Sequence, residues 1–201
     1  MTPDTNAKIR VRRAALEARR AMSSTARRSA SLAICEHIAR LHEFRSCRLL
    51  GAYLPMRDEV DVTLIIERAW RAQKRVFVPV TDTHGTMNFC EISPDSVVAR
   101  NRYGLWEPVS GVIVDARDLD VVITPLVAFD SELRRIGMGG GYYDRCFHFL
   151  KNRRKWLKPK LIGAAFACQQ SAAIAKESWD VSLYAVITEN SRTGHPTATS
   201  K

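Results

Sequence analysis

A largely apolar segment lies just past the middle of this 201-residue chain. It covers residues 119–127 and contains Val121, Val122 and Ile123 in direct succession. Continuous β-branched runs are typical of strands that are buried on both faces, as in parallel sheets. We therefore predict that this segment is a central strand of a sheet that helices cover on both sides.

Shorter apolar runs alternate with helical patterns along the rest of the chain. Ile34, Ile38 and Leu41, for example, recur at the spacing of one helix face. The length fits one domain, and the alternation predicts a single α/β domain with a mostly parallel sheet flanked by helices. The predicted helices are 8–22, one capped by Ser23 or Ser24, 62–71 and 142–150; the other predicted strands are 49–54, 75–80, 87–92, 160–166 and 183–188. Residues 81–85 are expected to form a turn, and 93–118 an irregular segment.

Composition limits the classes of protein to which the chain can belong. It has 31 Lys and Arg residues against 21 Asp and Glu residues, so its net charge of +10 favours anionic partners. No segment approaches the ~18 consecutive apolar residues of a membrane span, and no apolar stretch follows the N-terminal cations as in a signal peptide. The five cysteines are scattered without a CxxC pair. That spacing predicts free thiols in a cytoplasmic protein.

A glycine-rich loop follows the predicted central strand. Its glycines are Gly137, Gly139, Gly140 and Gly141, and a predicted helix begins directly after them. Ligands of open α/β sheets bind at the carboxyl ends of strands, where glycines let backbone N–H groups approach an anion. A helix N-terminus adds further free N–H groups. The pattern is compatible with a phosphate cradle or with a purely structural turn, and it lacks the GK[ST] of a Walker A motif.

Charged residues flank this loop on both sides. Arg134 and Arg135 lead into it and could bind phosphate oxygens. Asp144 follows it, where a carboxylate could hold Mg²⁺ against those phosphates. An acid in the first turn of a helix is also favoured by the helix dipole alone, so both interpretations of Asp144 stay open.

Within residues 123–145 the spacing of particular residues is more specific than the glycines alone. It fits the pattern P-x-x-x-F-D-x-x-x-x-R-x-G-x-G-x-G-Y-Y-D, filled here by Pro125, Phe129, Asp130, Arg135, Gly137, Gly139, Gly141, Tyr142, Tyr143 and Asp144. This pattern resembles the signature of the 5-formyltetrahydrofolate cyclo-ligase family. Further stretches resemble that family in the same order, over about residues 8–190: Lys8 with Arg12, Arg20 and 22–23, then 54–61, 104–108, 162–166 with Gln169, and Asp180 before 186–189.

The resemblance implies a fold, a reaction and a setting. The fold is the three-layer NagB/RpiA-like architecture over 8–190, with disordered tails at 1–7 and 191–201. The reaction is the ATP- and Mg²⁺-dependent cyclisation of 5-formyltetrahydrofolate to 5,10-methenyltetrahydrofolate, through a phosphorylated formyl intermediate. We expect a cytoplasmic monomer or weak dimer that binds 5-formyltetrahydrofolate, free or polyglutamylated, and neither nucleic acid nor membrane.

The resemblance also implies roles for individual residues, with Arg135 and Tyr142 as the catalytic pair and Asp144 and Asp180 as the Mg²⁺ ligands. The implied ATP contacts are Lys8, Arg12, Arg134, Arg135, Ile136, Gly137, Met138, Gly139, Gly140, Gly141, Tyr142 and Tyr143. The implied folate contacts are Leu54, Glu59, Tyr103, Met138, Gly139, Gly140, Gly141 and Tyr142. Two positions depart from the family. Met138 stands where many relatives carry Arg or Lys, which leaves Arg134 or Lys8 to replace that cation, and Trp179 precedes Asp180 where a polar residue is commoner.

Two other classes of protein compete with this interpretation. A dinucleotide-dependent oxidoreductase would carry its glycines after the first strand and an acid ~20 residues further on. An RNA-binding protein could use the basic segment 8–28, but such surfaces interleave cations with aromatic residues, and this segment has none. Both patterns therefore fit the chain less well than the cyclo-ligase pattern.

Overall fold

A computed structural model describes residues 5–56, 58–82, 86–153 and 158–194. The α-helices within these ranges are α1 (Thr5–Ala21), α2 (Ser24–Arg40), α3 (His42–Ser46), α4 (Thr63–Arg71) and α5 (Tyr142–Cys146). The strands are β1 (Leu49–Gly51), β2 (Arg75–Thr81), β3 (Met87–Ile92), β4 (Val98–Arg100), β5 (Trp106–Pro108), β6 (Ile113–Val114), β7 (Val121–Pro125), β8 (Ala128–Phe129), β9 (Arg135–Ile136), β10 (Lys160–Ala164), β11 (Ala185–Ile187) and β12 (Arg192–Gly194). Short 3₁₀ turns lie at Ala116–Asp118, His148–Asn152 and Ala167–Gln169.

Eight strands form the main sheet, in the order β12-β11-β10-β7-β1-β2-β3-β6. The five strands from β11 to β2 in that order run parallel to one another. The strands at the two edges, β12 on one side and β3 with β6 on the other, are antiparallel to their neighbours. The prediction of a mostly parallel sheet is confirmed.

Side chains of the central strands alternate between two cores because successive residues of a strand point to opposite faces. In β2, Val76 and Val78 pack with α2, α3 and α4, whereas Phe77 joins the core on the other face. In β7, Val121 and Ile123 lie on the first face and Val122 on the second. Both faces of the sheet are thus covered, as the continuous apolar runs predicted.

Two helices show why their sequences fold where they do. The Ser23 side chain accepts a hydrogen bond from Ala26 N at 3.1 Å and caps α2, which decides between the two serine candidates. Ala15 of α1 packs against Val127, Ala128 and Ile136, so this helix lies on the β8–β9 hairpin. No helix in the described parts of the chain combines the length and hydropathy needed to cross a bilayer.

Several predicted boundaries were wrong. Strand β7 is shorter than 119–127 because the carbonyls of Leu126 and Val127 accept hydrogen bonds from Gln169 Nε2, at 2.9 and 2.8 Å, instead of continuing the ladder. The helix predicted over 142–150 stops at Cys146, and a 3₁₀ turn follows. The segment 93–118, expected to be irregular, contains β4, β5 and β6. These strands escaped prediction because β4 is exposed throughout and lacks an apolar period.

The predicted tails and one predicted turn fall partly outside the described residues. Residues 1–4, 83–85 and 195–201 are in that category. Of the remainder, residues 5–7 belong to α1, and residues 192–194 form β12.

Candidate active site

A cleft of about 1430 Å³ opens at the carboxyl ends of the central parallel strands. Tyr53 and Leu54 follow β1, Pro79 and Thr81 end β2, and Pro125 ends β7; all of them line it. The position is that of ligand sites in open α/β sheets. A volume above the ~300–1,000 Å³ of most small-molecule pockets leaves room for two ligands side by side.

The glycine-rich loop, residues 137–141, forms one wall of this cleft. Gly139 has φ +108° and Gly141 has φ +66°, values that side chains strongly disfavour. At Gly140 an added Cβ would lie 2.8 Å from the Tyr142 ring. Gly137, in contrast, has open space where a Cβ would stand. Three of the four glycines are therefore required by the shape of the loop.

Asp130 fixes the hairpin that presents the glycine-rich loop. Its carboxylate is buried and accepts backbone N–H groups from Glu132 and Arg134 at 3.0 Å each and from Ile174 at 2.9 Å. These bonds define the turn between β8 and β9. The sequence identified Asp130 only as part of a pattern, and the structure gives its physical reason.

Helix α1 brings two cations to the loop. Lys8 and Arg12 are one turn apart, so both project from the same face of the helix. Lys8 Nζ donates to Asp180 Oδ2 at 2.9 Å, and Arg12 Nε donates to the Gly137 carbonyl at 2.9 Å. The two cations predicted from the N-terminal segment therefore meet the residues predicted from the middle and end of the chain.

Arg135 and Asp144 form a largely buried ion pair on the cleft wall. Arg135 Nη2 donates to Asp144 Oδ1 at 2.9 Å, and Nη1 donates to the Val181 carbonyl. The Val181 N–H also donates to Asp144 Oδ1, at 3.1 Å. Since Val181 directly follows Asp180, these contacts bring the two predicted metal-binding carboxylates onto neighbouring segments.

Arg134 is the one predicted ATP contact that lies elsewhere. It does not line the cleft; its guanidinium donates to the Ile174 carbonyl at 3.1 Å and lies 3.7 Å from Asp130 Oδ2. Successive residues of a strand point to opposite sides, so β9 directs Arg135 into the cleft and the preceding Arg134 away from it. Arg134 cannot replace a cation at Met138, whereas Lys8 lines the cleft with it.

The predicted folate contacts outside the glycine-rich segment, Leu54, Glu59 and Tyr103, line another part of the cleft. Leu54 and Glu59 lie in the turn after β1, where Glu59 Oε2 accepts the Met56 N–H at 3.1 Å. Burial raises the pKa of Glu59 above its ordinary value. Tyr103 lies in the turn of the β4–β5 hairpin and is 53% exposed.

Every other predicted site residue also lines the cleft. Met138 is 59% exposed at the mouth. Tyr142 packs under the Arg145 guanidinium, 5.0 Å from its ring centroid, and Tyr143 places its ring 6.0 Å from Phe147. The set consists of Lys8, Arg12, Leu54, Glu59, Tyr103, Arg135, Ile136, Gly137, Met138, Gly139, Gly140, Gly141, Tyr142, Tyr143, Asp144 and Asp180.

Sequence reasoning gave no site role to several polar or aromatic residues that line the cleft, among them Glu177, Arg145 and Trp106. Glu177 Oε1 lies 3.7 Å from Lys8 Nζ, and its backbone N–H donates to Asp180 Oδ2 at 2.8 Å. Arg145 donates to the Gly140 carbonyl at 2.8 Å, and Trp106 lines the cleft from β5. Signals existed for two of them, since Arg145 directly follows the matched pattern and Trp106 lies inside the segment 104–108. Nothing in the sequence singled out Glu177.

A glycine-rich loop, converging cations and paired carboxylates at the carboxyl edge of a parallel sheet define an α/β enzyme that handles phosphates. A family model described as the 5-formyltetrahydrofolate cyclo-ligase family matches residues 4–189. The chain belongs to this family and is an ATP-dependent ligase.

Individual relatives agree with this assignment. The chain is 33% identical over 162 residues to a 5-formyltetrahydrofolate cyclo-ligase of Haemophilus influenzae, covering 79% of this chain and 84% of the relative. It is 39% identical over 143 residues to that of Escherichia coli K12, covering 69% and 76%. The solved structure of Aquifex aeolicus 5,10-methenyltetrahydrofolate synthetase superposes with a TM-score of 0.81 at 28% identity, covering 96% of this chain and 95% of that one.

Proposed function

We propose that this cleft closes 5-formyltetrahydrofolate to 5,10-methenyltetrahydrofolate at the expense of ATP, by way of a phosphorylated formyl group. One observation carries the proposal. A wall suited to phosphate, with cations beside a glycine-rich loop, lies in the same large cleft as the half-buried carboxyl group of Glu59. Lys8, Arg12 and Arg135 stand at the glycine-rich loop, and Glu59 lies on the side formed after β1. Two substrates can therefore meet inside it.

The proposed reaction has two steps. The N5-formyl oxygen attacks the γ-phosphorus of ATP, the bond from phosphorus to the bridging oxygen breaks, and ADP leaves. N10 then attacks the formyl carbon, the bond from carbon to the formyl oxygen breaks, and phosphate departs with that oxygen while N10 loses its proton. Phosphoryl transfer of this kind depends on alignment and charge neutralisation.

The phosphate side of the cleft is suited to that task. Asp144 and the Val181 carbonyl already hold the Arg135 side chain in place. This side chain therefore loses little conformational entropy when it binds a phosphate. Lys8 and Arg12 add charge from α1, and the loop at 137–141 offers backbone N–H groups. Arg135 thus neutralises the developing charge, and Tyr142 bounds the reacting region.

The carboxylates fit a magnesium ion that is bound mainly through substrate phosphates. Asp144 uses Oδ1 for its internal hydrogen bonds and Asp180 uses Oδ2, so each has a second oxygen to offer. Mg²⁺ commonly takes one or two protein carboxylates together with substrate phosphates and water, and these two carboxylates could supply that share. Bound there, it would supply charge neutralisation at the β- and γ-phosphates.

The folate side and the setting are also part of the proposal. Leu54, Glu59 and Tyr103 bound the pterin, with Met138 at the mouth. The net charge of +10 favours an anionic substrate and is compatible with polyglutamate tails. Free thiols at all five cysteines support a cytoplasmic location, and we propose a monomer or weak dimer without nucleic acid or membrane partners.

The test is the appearance of the absorbance band of methenyltetrahydrofolate. Purified protein is mixed with 5-formyltetrahydrofolate and MgATP, and parallel samples omit ATP or contain EDTA. We expect the band to rise only when ATP and metal are both present. A folded protein that produces no band, or that produces it without ATP, would contradict the proposal.

A further inference from the structure

The hydroxyl of Tyr143 lacks a hydrogen-bond partner among the described residues although its oxygen is buried. Two other tyrosines have protein partners for their hydroxyls: Tyr53 donates to the Val60 carbonyl at 2.8 Å, and Tyr184 donates to Glu43 at 2.7 Å. Tyr103 is 53% exposed, so water can serve its hydroxyl. Buried polar groups are normally paired, so an exception needs a reason. Tyr143 lines the cleft, where a substrate atom can supply the missing partner.

Tyr143 lines the same cleft as Glu59, on the side formed after β1, and Arg135, at the glycine-rich loop. Its ring is held by Phe147, with centroids 6.0 Å apart, in the core below α5. The hydroxyl is therefore a hydrogen-bond donor held in a fixed position in the cleft wall.

The polar atoms of the substrate follow one another in a matching order. Along one edge of the pterin ring, the 2-amino group and N3–H are donors, the C4 carbonyl oxygen is an acceptor, and N5 with its formyl group comes next. A carboxylate such as Glu59 suits the two donors. The next atom requires a hydrogen-bond donor, and the formyl group beyond it must reach the phosphate side.

We propose that Tyr143 is a substrate-orienting residue that donates a hydrogen bond to the C4 carbonyl oxygen of the pterin, beside Glu59 at the 2-amino and N3–H edge. The inference rests on the proposed function. It moves the Tyr143 hydroxyl from the nucleotide, where the family resemblance placed this residue, to the folate. The two contacts together turn the N5-formyl group toward Arg135 and the glycine-rich loop.

The test compares Tyr143→Phe with the wild type in equilibrium binding as well as in rate. We expect the Kd of 5-formyltetrahydrofolate, measured by calorimetry without ATP, to rise about tenfold, as the loss of one buried hydrogen bond implies. The Kd of MgATP should change by less than about twofold. A variant that weakens MgATP binding as much as folate binding would overturn the proposal.

A substrate analogue isolates the proposed acceptor. In 4-amino-4-deoxy-5-formyltetrahydrofolate an amino group replaces the C4 carbonyl oxygen and N3 carries no hydrogen; the change at N3 is the same for the wild type and the variant, so comparing their preferences removes it. We expect the wild type to prefer the oxo compound and Tyr143→Phe to lose about tenfold of that preference, since only the wild type can donate to the oxygen. An unchanged preference in the variant would overturn the proposal.

Tyr184→Phe is the matched control, because its hydroxyl has a partner and lies outside the cleft. It should leave both Kd values unchanged but lower the urea midpoint of unfolding, whereas Tyr143→Phe should not lower it. A loss of stability in Tyr143→Phe equal to that in Tyr184→Phe would show that the hydroxyl has an internal partner and overturn the inference. Failure of the proposed function is seen separately, as a wild type that forms no methenyltetrahydrofolate.

Discussion

Arg134 and Arg135 are adjacent in sequence but contribute to different parts of the molecule. Arg135 pairs with Asp144 on the cleft wall, and Arg134 binds the Ile174 carbonyl outside it. Both fit the same cationic pattern when only the sequence is considered. The alternation of side chains along β9 separates them, so the assignment depends on a strand of two residues.

Replacing Arg135 by alanine should reduce kcat/KM for ATP by at least about 100-fold, because the change removes a buried cation that we propose binds the phosphates, and Asp144 loses its partner. Steady-state kinetics at saturating folate measure this. Arg134→Ala is the matched control and should stay within about threefold of the wild type. Equal losses in the two variants would contradict the placement of Arg134 outside the cleft.

Glu59 provides a test that uses pH. Burial raises its pKa, so its contribution to stability is fully present below the ordinary value of 4.5 and is lost as pH rises through the raised value. The difference in free energy of unfolding, Glu59→Gln minus wild type, should therefore become more positive as pH increases through this window. Urea titrations from about pH 4 to pH 8 measure the difference, and a gap that does not widen with pH would contradict a raised pKa.

Most of the predicted site residues line one cleft because they are concentrated in one dense sequence pattern. Residues 135–144 line the cleft without interruption. Glu177 could not be predicted, since its role depends on a contact with Lys8 at the opposite end of the chain. The orphaned hydroxyl of Tyr143 is likewise invisible without the packing around it.

At the scale of elements, the glycine-rich loop depends on the β8–β9 hairpin and on α1. The hairpin turn is closed by the buried Asp130, and α1 packs on the hairpin through Ala15. Because α1 also carries Lys8 and Arg12, the same packing that buries its apolar face places both cations at the loop. Local structure and the proposed phosphate binding therefore depend on the same contacts.

The glycines of this loop should differ in their tolerance of alanine. Gly139→Ala should lower the free energy of unfolding by about 1–3 kcal/mol, because its φ of +108° is strained for a residue with a side chain. Gly137→Ala, the matched control, meets open space and should change stability by less than about 0.5 kcal/mol. Urea unfolding measures both, and equal effects would contradict the loop conformation.

The sequence predicted helices and strands correctly where their burial requires a run or a period of apolar residues. Strands β2, β3 and β7 lie within or close to their predicted ranges because their apolar runs are long. The β4–β5 hairpin is mostly exposed and folds against β2 partly through a single contact, from the Thr81 N–H to Glu107 Oε1 at 3.0 Å. No local pattern encodes such a contact between distant residues.

At the scale of the whole molecule, the net charge of the protein and the charge of the cleft are both positive, so both attract anionic substrates. The chain carries +10, and Lys8, Arg12, Arg135 and Arg145 line the cleft that would receive two anionic substrates. Long-range attraction of this kind speeds encounter and is screened by salt. The fold contributes by placing these cations at one edge of the sheet.

We expect kcat/KM for ATP to fall several-fold as salt is raised from about 0.05 to 0.5 M, because screening shortens the reach of the field. Arg12→Gln should make this dependence shallower. Arg28→Gln, at an exposed position of α2 that does not line the cleft, should leave it unchanged. If Arg12→Gln and Arg28→Gln made the salt dependence of kcat/KM equally shallow, the net charge of the protein, and not the cations of the cleft, would be the source of the attraction.

The central claim is that the formyl oxygen of the folate attacks ATP inside this cleft. The most direct measurement supplies 5-formyltetrahydrofolate labelled with ¹⁸O in the formyl group, together with unlabelled ATP and Mg²⁺, and analyses the released phosphate by mass spectrometry. The account predicts one ¹⁸O atom in each phosphate released with methenyltetrahydrofolate. Unlabelled phosphate accompanying the product would contradict the claim, because the formyl oxygen would then have left by another route.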